Sequence, residues 1–245
     1  TDCNITDTVQ IMSGDIQSKA HDEANAALVQ RLCELSGPVI DWLCVRHHLN
    51  LTLVEGFLYP GHSVPRMHAP PSRSGADLPA DLSRAVAVAD IPVMTQAHVT
   101  DLYADTHGGV TGTRLERPDG GVEHVGCEAL IFACNGLGGN ADMVQAHIPD
   151  MADALYFGHQ GNQGDAIVWG QALGADTRHL GSYQGHGSVA QPHGILISWA
   201  LMMQGGLQIN CDGKRFSNEH QGYSEQARRV IAQPGGTVWN LFDAR

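Results

Sequence analysis

Two glycine-rich junctions carry the first suggestion of chemistry in this sequence. Residues 135–140 read Asn-Gly-Leu-Gly-Gly-Asn; they follow the apolar run Ala129–Cys134 and lead into a helical pattern at Ala141–Gln145. Residues 158–165 read Gly-His-Gln-Gly-Asn-Gln-Gly-Asp and lead into Ala166–Leu173. Glycine lets a backbone approach a ligand closely, and free N–H groups at a helix start attract anions. A nucleotide-binding turn should follow a buried strand, as the first junction does, although ordinary tight turns use the same residues. No G-x-G-x-x-G is present, so the chain lacks the element that a self-sufficient dinucleotide domain needs. The 14 histidines and six cysteines raise a metal reading. Their spacing opposes it: there is no H-E-x-x-H, H-x-H or C-x-x-C, and no metal is expected. Disulfide-dense secreted domains are small. Cys3, Cys33, Cys44, Cys127, Cys134 and Cys211 therefore read as reduced, mostly buried thiols in a cytoplasmic setting.

The elements that would position these junctions can be read from periodicity. Helical signals cover about 5–35 and should stop at Gly37-Pro38. Val39–Leu49 reads as a second short helix, and 56–76, with four prolines and three glycines, as a long loop of the functional or mobile kind. Leu78–Val88 resumes helical spacing. Ile91–Tyr103 is β-rich. Val110–Glu116 and Val122–Val125 read as a hairpin around Pro118-Asp119-Gly120-Gly121. Ala129–Cys134 reads as a buried strand.

Composition narrows the function classes. Among 245 residues, 14 Lys+Arg stand against 26 Asp+Glu, a net of −12. Nucleic acid is excluded as a main partner, since phosphate binding needs a basic face. Hydrophobic residues reach 42 % with only 16 % charged, which is not a disordered composition. No run of 18 apolar residues suggests a membrane segment, and the polar, acidic start is no signal peptide.

The order of motifs is more specific than any one of them. The hairpin is followed by Ala129-Leu130-Ile131-Phe132-Ala133-Cys134-Asn135-Gly136, then Gly161-Asn162-Gln163-Gly164-Asp165, then Gln184-Gly185-His186-Gly187. Last comes Asn210-Cys211-Asp212-Gly213-Lys214-Arg215-Phe216-Ser217-Asn218-Glu219. This order resembles the flavoprotein family of fumarate reductases, succinate dehydrogenases and 3-ketosteroid dehydrogenases, over nearly the whole chain. The resemblance implies an α/β fold, in part α+β. Residues 1–172 would be the later portion of a Rossmann-like FAD-binding domain, and 173–245 part of a capping, substrate domain. The family's first βαβ unit should precede Thr1 and its last flavin segment should follow Arg245. These missing parts are then the chain's partners, together with a small-molecule substrate, and the fragment alone should be inactive.

Residue by residue, the resemblance implies FAD contacts at Val99 (through its backbone), Ala133, Gly136 and Asp165. Cys134-Asn135 departs from the family's A-T-G-G turn. Asp165 also reads as a helix N-cap, and Val99 as a core residue. His186 matches a substrate-holding histidine. Ser198, Trp199 and Met202 stand where fumarate reductases place Thr, Glu and Arg, and Tyr223 stands where they place the proton-donating Arg. Fumarate needs cations for two carboxylates and an acid to protonate carbon; an aromatic, apolar wall suits a larger, less charged substrate. A tyrosine at the proton-transfer position resembles the ketosteroid dehydrogenases. Tyrosine is a weak base, its free pKa being about 10, so such a site must stabilise phenolate. The resemblance thus implies an FAD-dependent oxidoreductase acting on a CH–CH bond, with Tyr223, His186 and Ser198 as catalytic residues. The alternatives are a C4-dicarboxylate or tricarboxylate reductase or dehydrogenase, and a non-enzymatic module that keeps the fold without flavin. Tyr223 also reads as a packing residue at a helix start.

Overall fold

The computed structural model describes residues 5–56 and 58–243, so Cys3 and Phe57 lie outside the described residues. The chain falls into two compact units, one through Val93 and one from Met94.

In the first unit, Thr8 caps α1 (Val9–Lys19) by accepting from the Ile11 N–H. Asn25 caps α2 (Ala26–Asp41) in the same way, accepting from Leu28. The expected stop at Gly37-Pro38 does not occur: α2 runs through Pro38 and continues into a π-helical turn, Trp42–Arg46, absorbing the expected second helix. Proline removes one helical N–H, but Glu34 and Pro38 are exposed. Water can therefore satisfy the freed Glu34 carbonyl, and the wider turn beyond carries the chain on. Val29, Cys33 and Leu49 are buried. β1 (Thr52–Leu53) pairs antiparallel with β2 (His68–Ala69), and α3 spans Asp77–Val88 as periodicity predicts.

The long loop is anchored at its middle. Asp15 of α1 accepts from the Ser63 N–H at 2.8 Å, and Arg66 bridges Asp7 and Asp15, each at 2.6 Å. Burial alone would raise the Asp15 carboxyl, but Ser63 and Arg66 outweigh it and hold it down at about 2. Asp7 is lowered too, chiefly by its hydrogen bond from Arg66. A carboxyl depressed in the folded state contributes stability that is complete above its unfolded pKa, about 4, and is lost on acidification through the folded value. The urea midpoint is expected to fall between pH 4 and 2, with a shallower fall in Asp15→Asn. An unchanged slope in that variant would remove Asp15 from the account.

The second unit opens with a three-stranded meander of β3 (His98–Ala104), β4 (Val110–Glu116) and β5 (Val122–Gly126). Pro118–Gly121 closes the second hairpin, with the Arg117 N–H donating to the Gly121 carbonyl at 2.8 Å and Gly120 at φ 83°. Leu115 of β4 is buried. Then come α4 (Ala141–His147), α5 (Asp165–Ala172), the pair β6 (Val189–Ala190) and β7 (Ile195–Leu196), and α6 (Ala200–Met203). Next, β8 (Leu207–Ile209) pairs with β9 (Trp239–Leu241), with α7 (Tyr223–Ile231) between them in sequence. The most deeply buried side chains are Met202, Gln208, Gln226 and Glu219, a core that is largely polar.

The fold is mixed α and β, as expected, and its strands form small sheets. Two further sequence expectations need correction. Ala129–Cys134 forms no strand, and Ile131 is 87 % exposed. A strand needs a neighbour for its backbone groups, and no described segment pairs with this one. The cysteines are not mostly buried. Among the described residues five are free thiols, of which Cys33 alone is buried, while Cys134 and Cys211 are exposed, Cys134 in the unpaired 129–134 stretch and Cys211 in the turn closed by the Gly213 N–H to the Asn210 carbonyl. No described helix is long and apolar enough to cross a membrane.

Candidate active site and cofactor cavity

The two glycine junctions hold each other. Gly139 N–H donates to the Asn162 carbonyl at 2.9 Å, and Gly164 N–H to the Gly136 carbonyl at 3.1 Å. Asn140 and Gln163 add side-chain amide bonds to the carbonyls of Gln163 (3.1 Å) and Gly139 (3.0 Å). The Gly136 N–H is taken by the Asn135 side chain, and Asn135 adopts the left-handed φ of 63°, which asparagine tolerates better than most residues. Gly139 serves this mutual packing: a Cβ there would lie 2.6 Å from the Gln160 carbonyl oxygen. Overpacking against backbone costs about 1–3 kcal/mol. Gly139→Ala is expected to lower the melting temperature by several degrees, about 4 °C or more, and an unaltered melting curve would show that the turns yield freely.

Beside this junction lies a cavity of about 280 Å³ whose lining includes Val99, Leu102, Phe132, Ala133, Asp165 and Trp169. Three of the four expected cofactor residues therefore meet: Val99, Ala133 and Asp165. Gly136 does not line it. A register shift between Val99 and Asp101 interrupts the ladder directly after Val99, and such bulges leave backbone groups unpaired. Gly164, left-handed at φ 86°, is the N-cap of α5, so Asp165 is the first residue of the helix rather than its cap. The lining contains one carboxylate and no lysine or arginine. This donor set fits the ring and hydroxyl-bearing parts of FAD and does not fit its pyrophosphate, which needs N–H donors or cations. No described His, Cys, Asp and Glu side chains gather as a metal site.

A second cluster forms around α7. Tyr223 is its first residue. Along Gln184-Gly185-His186-Gly187 the glycines face α7: a Cβ at Gly185 would lie 2.6 Å from the Ala227 Cβ, and one at Gly187 2.8 Å from the Gln226 Cγ. Ser224 fixes this approach by accepting from the Gly185 N–H at 3.2 Å. The alternate residues Gln184 and His186 both reach Tyr223. His186 stacks on its ring, centroids 5.6 Å apart and planes at 25°, and Gln184 Nε2 donates to its Oη at 3.1 Å. Trp199, 3 % exposed, meets His186 edge-on at 5.7 Å. Burial lowers the His186 pKa, favouring the neutral imidazole. His186 Nδ1 and Trp199 Nε1 are buried without a hydrogen-bond partner among the described residues. The structure thus brings Tyr223 and His186 together. Ser198, next to Trp199, is exposed and accepts from the Ala200 N–H at 3.3 Å; no contact with His186 or Tyr223 is described.

A buried network supports this cluster. Gln208 Nε2 donates to the Gly187 carbonyl and to Asn240, each at 2.8 Å, and Gln226 Nε2 donates to Gln208 Oε1 at 2.8 Å. Glu219, fully buried, accepts from the Gln208 N–H at 2.8 Å and from Arg215. The G-K-R-F-x-N-E segment is therefore a scaffold for the extended segment that carries His186. Sequence reasoning assigned no role to Gln184, Gln208 or Gln226. The alternation Gln-Gly-His-Gly was a usable signal for Gln184, because alternate residues of an extended segment share a face.

The family model described as FAD binding domain matches residues 4–238. The chain is 27 % identical over 241 residues to NADH:fumarate oxidoreductase of Klebsiella pneumoniae (strain 342), covering 98 % of this chain and 26 % of that protein. It is 30 % identical over 151 residues to 4-oxocyclohexanecarboxylate 2-dehydrogenase of Sinomonas cyclohexanicum, covering 56 % of this chain and 25 % of the relative. Among solved structures, the open conformation of a flavocytochrome c3 fumarate reductase superposes with a TM-score of 0.83 at 25 % identity, covering 97 % of this chain and 42 % of that one. The 3-ketosteroid-Δ4-(5α)-dehydrogenase of Rhodococcus jostii RHA1 gives 0.77 at 18 % identity, covering 99 % and 55 %, a likeness of fold. The chain spans about a quarter to two fifths of the length of the curated relatives it matches across 98 % of its own.

Proposed function

The chain belongs to the FAD binding domain family, and on that premise we propose that it is part of an FAD-dependent oxidoreductase acting on a CH–CH bond. Its substrate is larger and less charged than a C4 dicarboxylate. The observation that carries this reading is the aromatic cluster: Tyr223 stacked on a neutral His186 beside Trp199. Five arginines of the second unit, Arg114, Arg117, Arg178, Arg215 and Arg228, pair with carboxylates, and Arg229 donates to the Gln221 amide oxygen.

When bound, FAD supplies the group that accepts or donates hydride. Val99, Ala133 and Asp165 would hold it, with Gly136 fixing the adjoining turn. Tyr223 takes or gives the proton at a carbon next to a carbonyl. His186 and Ser198 orient the substrate. Residues 1–172 belong to the flavin domain and 173–245 to the cap. The exposed stretch around Ile131 is covered by the remaining parts of the same flavin domain, without which this piece does not turn over. The protein works in the cytoplasm.

The test is flavin bleaching in the full-length protein under a panel of 3-ketosteroids, tricarboxylates and C4 acids. Bleaching by ketones and not by succinate supports the reading. The names of the fumarate-reducing relatives favour a second reading, a dicarboxylate reductase. Reoxidation of reduced flavin by fumarate and not by enones would establish it instead.

A further inference from the structure

Gln184 and Tyr223 lie 39 residues apart, yet the amide of one meets the phenol oxygen of the other. Gln184 Nε2 is the donor, so Tyr223 Oη is the acceptor in this bond. A phenolic O–H lies near the ring plane and has two in-plane directions. An N–H aimed at the oxygen from one side leaves the O–H to the other. His186 covers one face of the same ring, so it limits the face without competing for the oxygen. Gly185, closed against Ala227, and the Ser224 bond fix the backbone that carries Gln184. Gln184 itself is exposed, so its amide supports no core.

We propose that Gln184 is a positioning residue that orients the Tyr223 O–H towards the substrate and stabilises the phenol oxygen once its proton has left. The proposal rests on the reading of Tyr223 as the proton-transfer residue. A donated hydrogen bond favours a charged oxygen over a neutral one. A carboxylate in the same place would do the reverse: it would accept the phenol proton and turn the O–H away from the substrate.

The experiment uses the full-length flavoprotein with Gln184→Leu and Gln184→Glu, and a 3-ketosteroid as the probe substrate. Expected is a kcat lower by about tenfold in Gln184→Leu and about a hundredfold in Gln184→Glu, with KM unchanged in both. That order separates the two roles, because Glu keeps the shape of Gln and Leu does not; a merely structural role would harm Leu more. The second readout needs no turnover. The Raman doublet of Tyr223, isolated as the difference from Tyr223→Phe, should change from hydrogen-bond acceptor to donor in Gln184→Glu. An unchanged doublet, or equal kcat in all three proteins, overturns the proposal. If the doublet changes while Tyr223→Phe retains full turnover, Gln184 does orient the phenol and the proton-transfer reading falls. If Tyr223→Phe is inactive and both Gln184 variants match wild type, that reading stands and the Gln184 role falls.

Discussion

Tyr223→Phe in the full-length flavoprotein is expected to lower kcat for a ketone substrate by about 10²–10⁴-fold, the usual contribution of a positioned acid or base. The substitution is unusually clean. Phenylalanine keeps the ring that stacks on His186, and the lost oxygen is bonded to an exposed glutamine amide. Folding should be nearly unaffected, because that amide can turn to water. The effect should also fall on kcat rather than on KM, since the phenol acts on a proton in flight rather than on bound substrate. Stopped-flow measurement of flavin reduction isolates the step. Reduction at the wild-type rate would exclude Tyr223 from proton transfer and leave it as the packing residue at the start of α7.

Glu219→Ala is expected to destabilise the chain by about 2–3 kcal/mol. Its carboxylate is fully buried and accepts from the Gln208 N–H and from Arg215. Removing it leaves that N–H buried without a partner, which costs about 1–3 kcal/mol. The Arg215 side chain is 53 % exposed and rehydrates, so its half of the ion pair adds little. Burial alone would raise the Glu219 carboxyl, but the bonds from Arg215 and the Gln208 backbone outweigh it and hold it low. Its contribution is therefore complete above the ordinary glutamate value, about 4.3, and is lost as pH falls through the lower folded value. Glu219→Gln keeps an acceptor for Gln208 and should lose about half as much. Because Gln208 also holds the Gly187 carbonyl, Glu219→Ala should disturb the placement of His186 as well. Denaturant midpoints at pH 7 and pH 3.5 check both statements. Equal stability of wild type and Glu219→Ala at pH 7 would contradict the first, and a gap that does not narrow at pH 3.5 the second.

Much of the local structure was legible from sequence. The strand Val110–Glu116, its partner from Val122, and the helices beginning at Asp77 and Ala141 lie where period and turn chemistry put them. Each depends on signals within a few residues: alternation, a capping asparagine, a Gly-Gly turn. The misreadings arose where distant or environmental factors decide. Pro38 was read as a stop because the rule assumes that the freed carbonyl has no substitute, and an exposed helix face supplies water. Ala129–Cys134 has the composition of a buried strand, but a strand exists only with a neighbour. Asp165 looked like a cap until Gly164 took the left-handed position before it.

The candidate site divides in the same way. By itself the sequence determined the family resemblance, the absence of a G-x-G-x-x-G turn, and the aromatic and apolar residue types Trp199, Met202 and Tyr223 at positions where the resemblance implies substrate contacts. All of these are matters of residue type and order. Only the tertiary structure decided that the two glycine turns satisfy each other's N–H groups, that Val99, Ala133 and Asp165 share one cavity while Gly136 does not, and that Gln184 and His186 converge on Tyr223. The reason is physical: periodicity records which way a residue faces within its own element, whereas a bond such as Gln184 to Tyr223 closes 39 residues of chain and is selected by packing between elements.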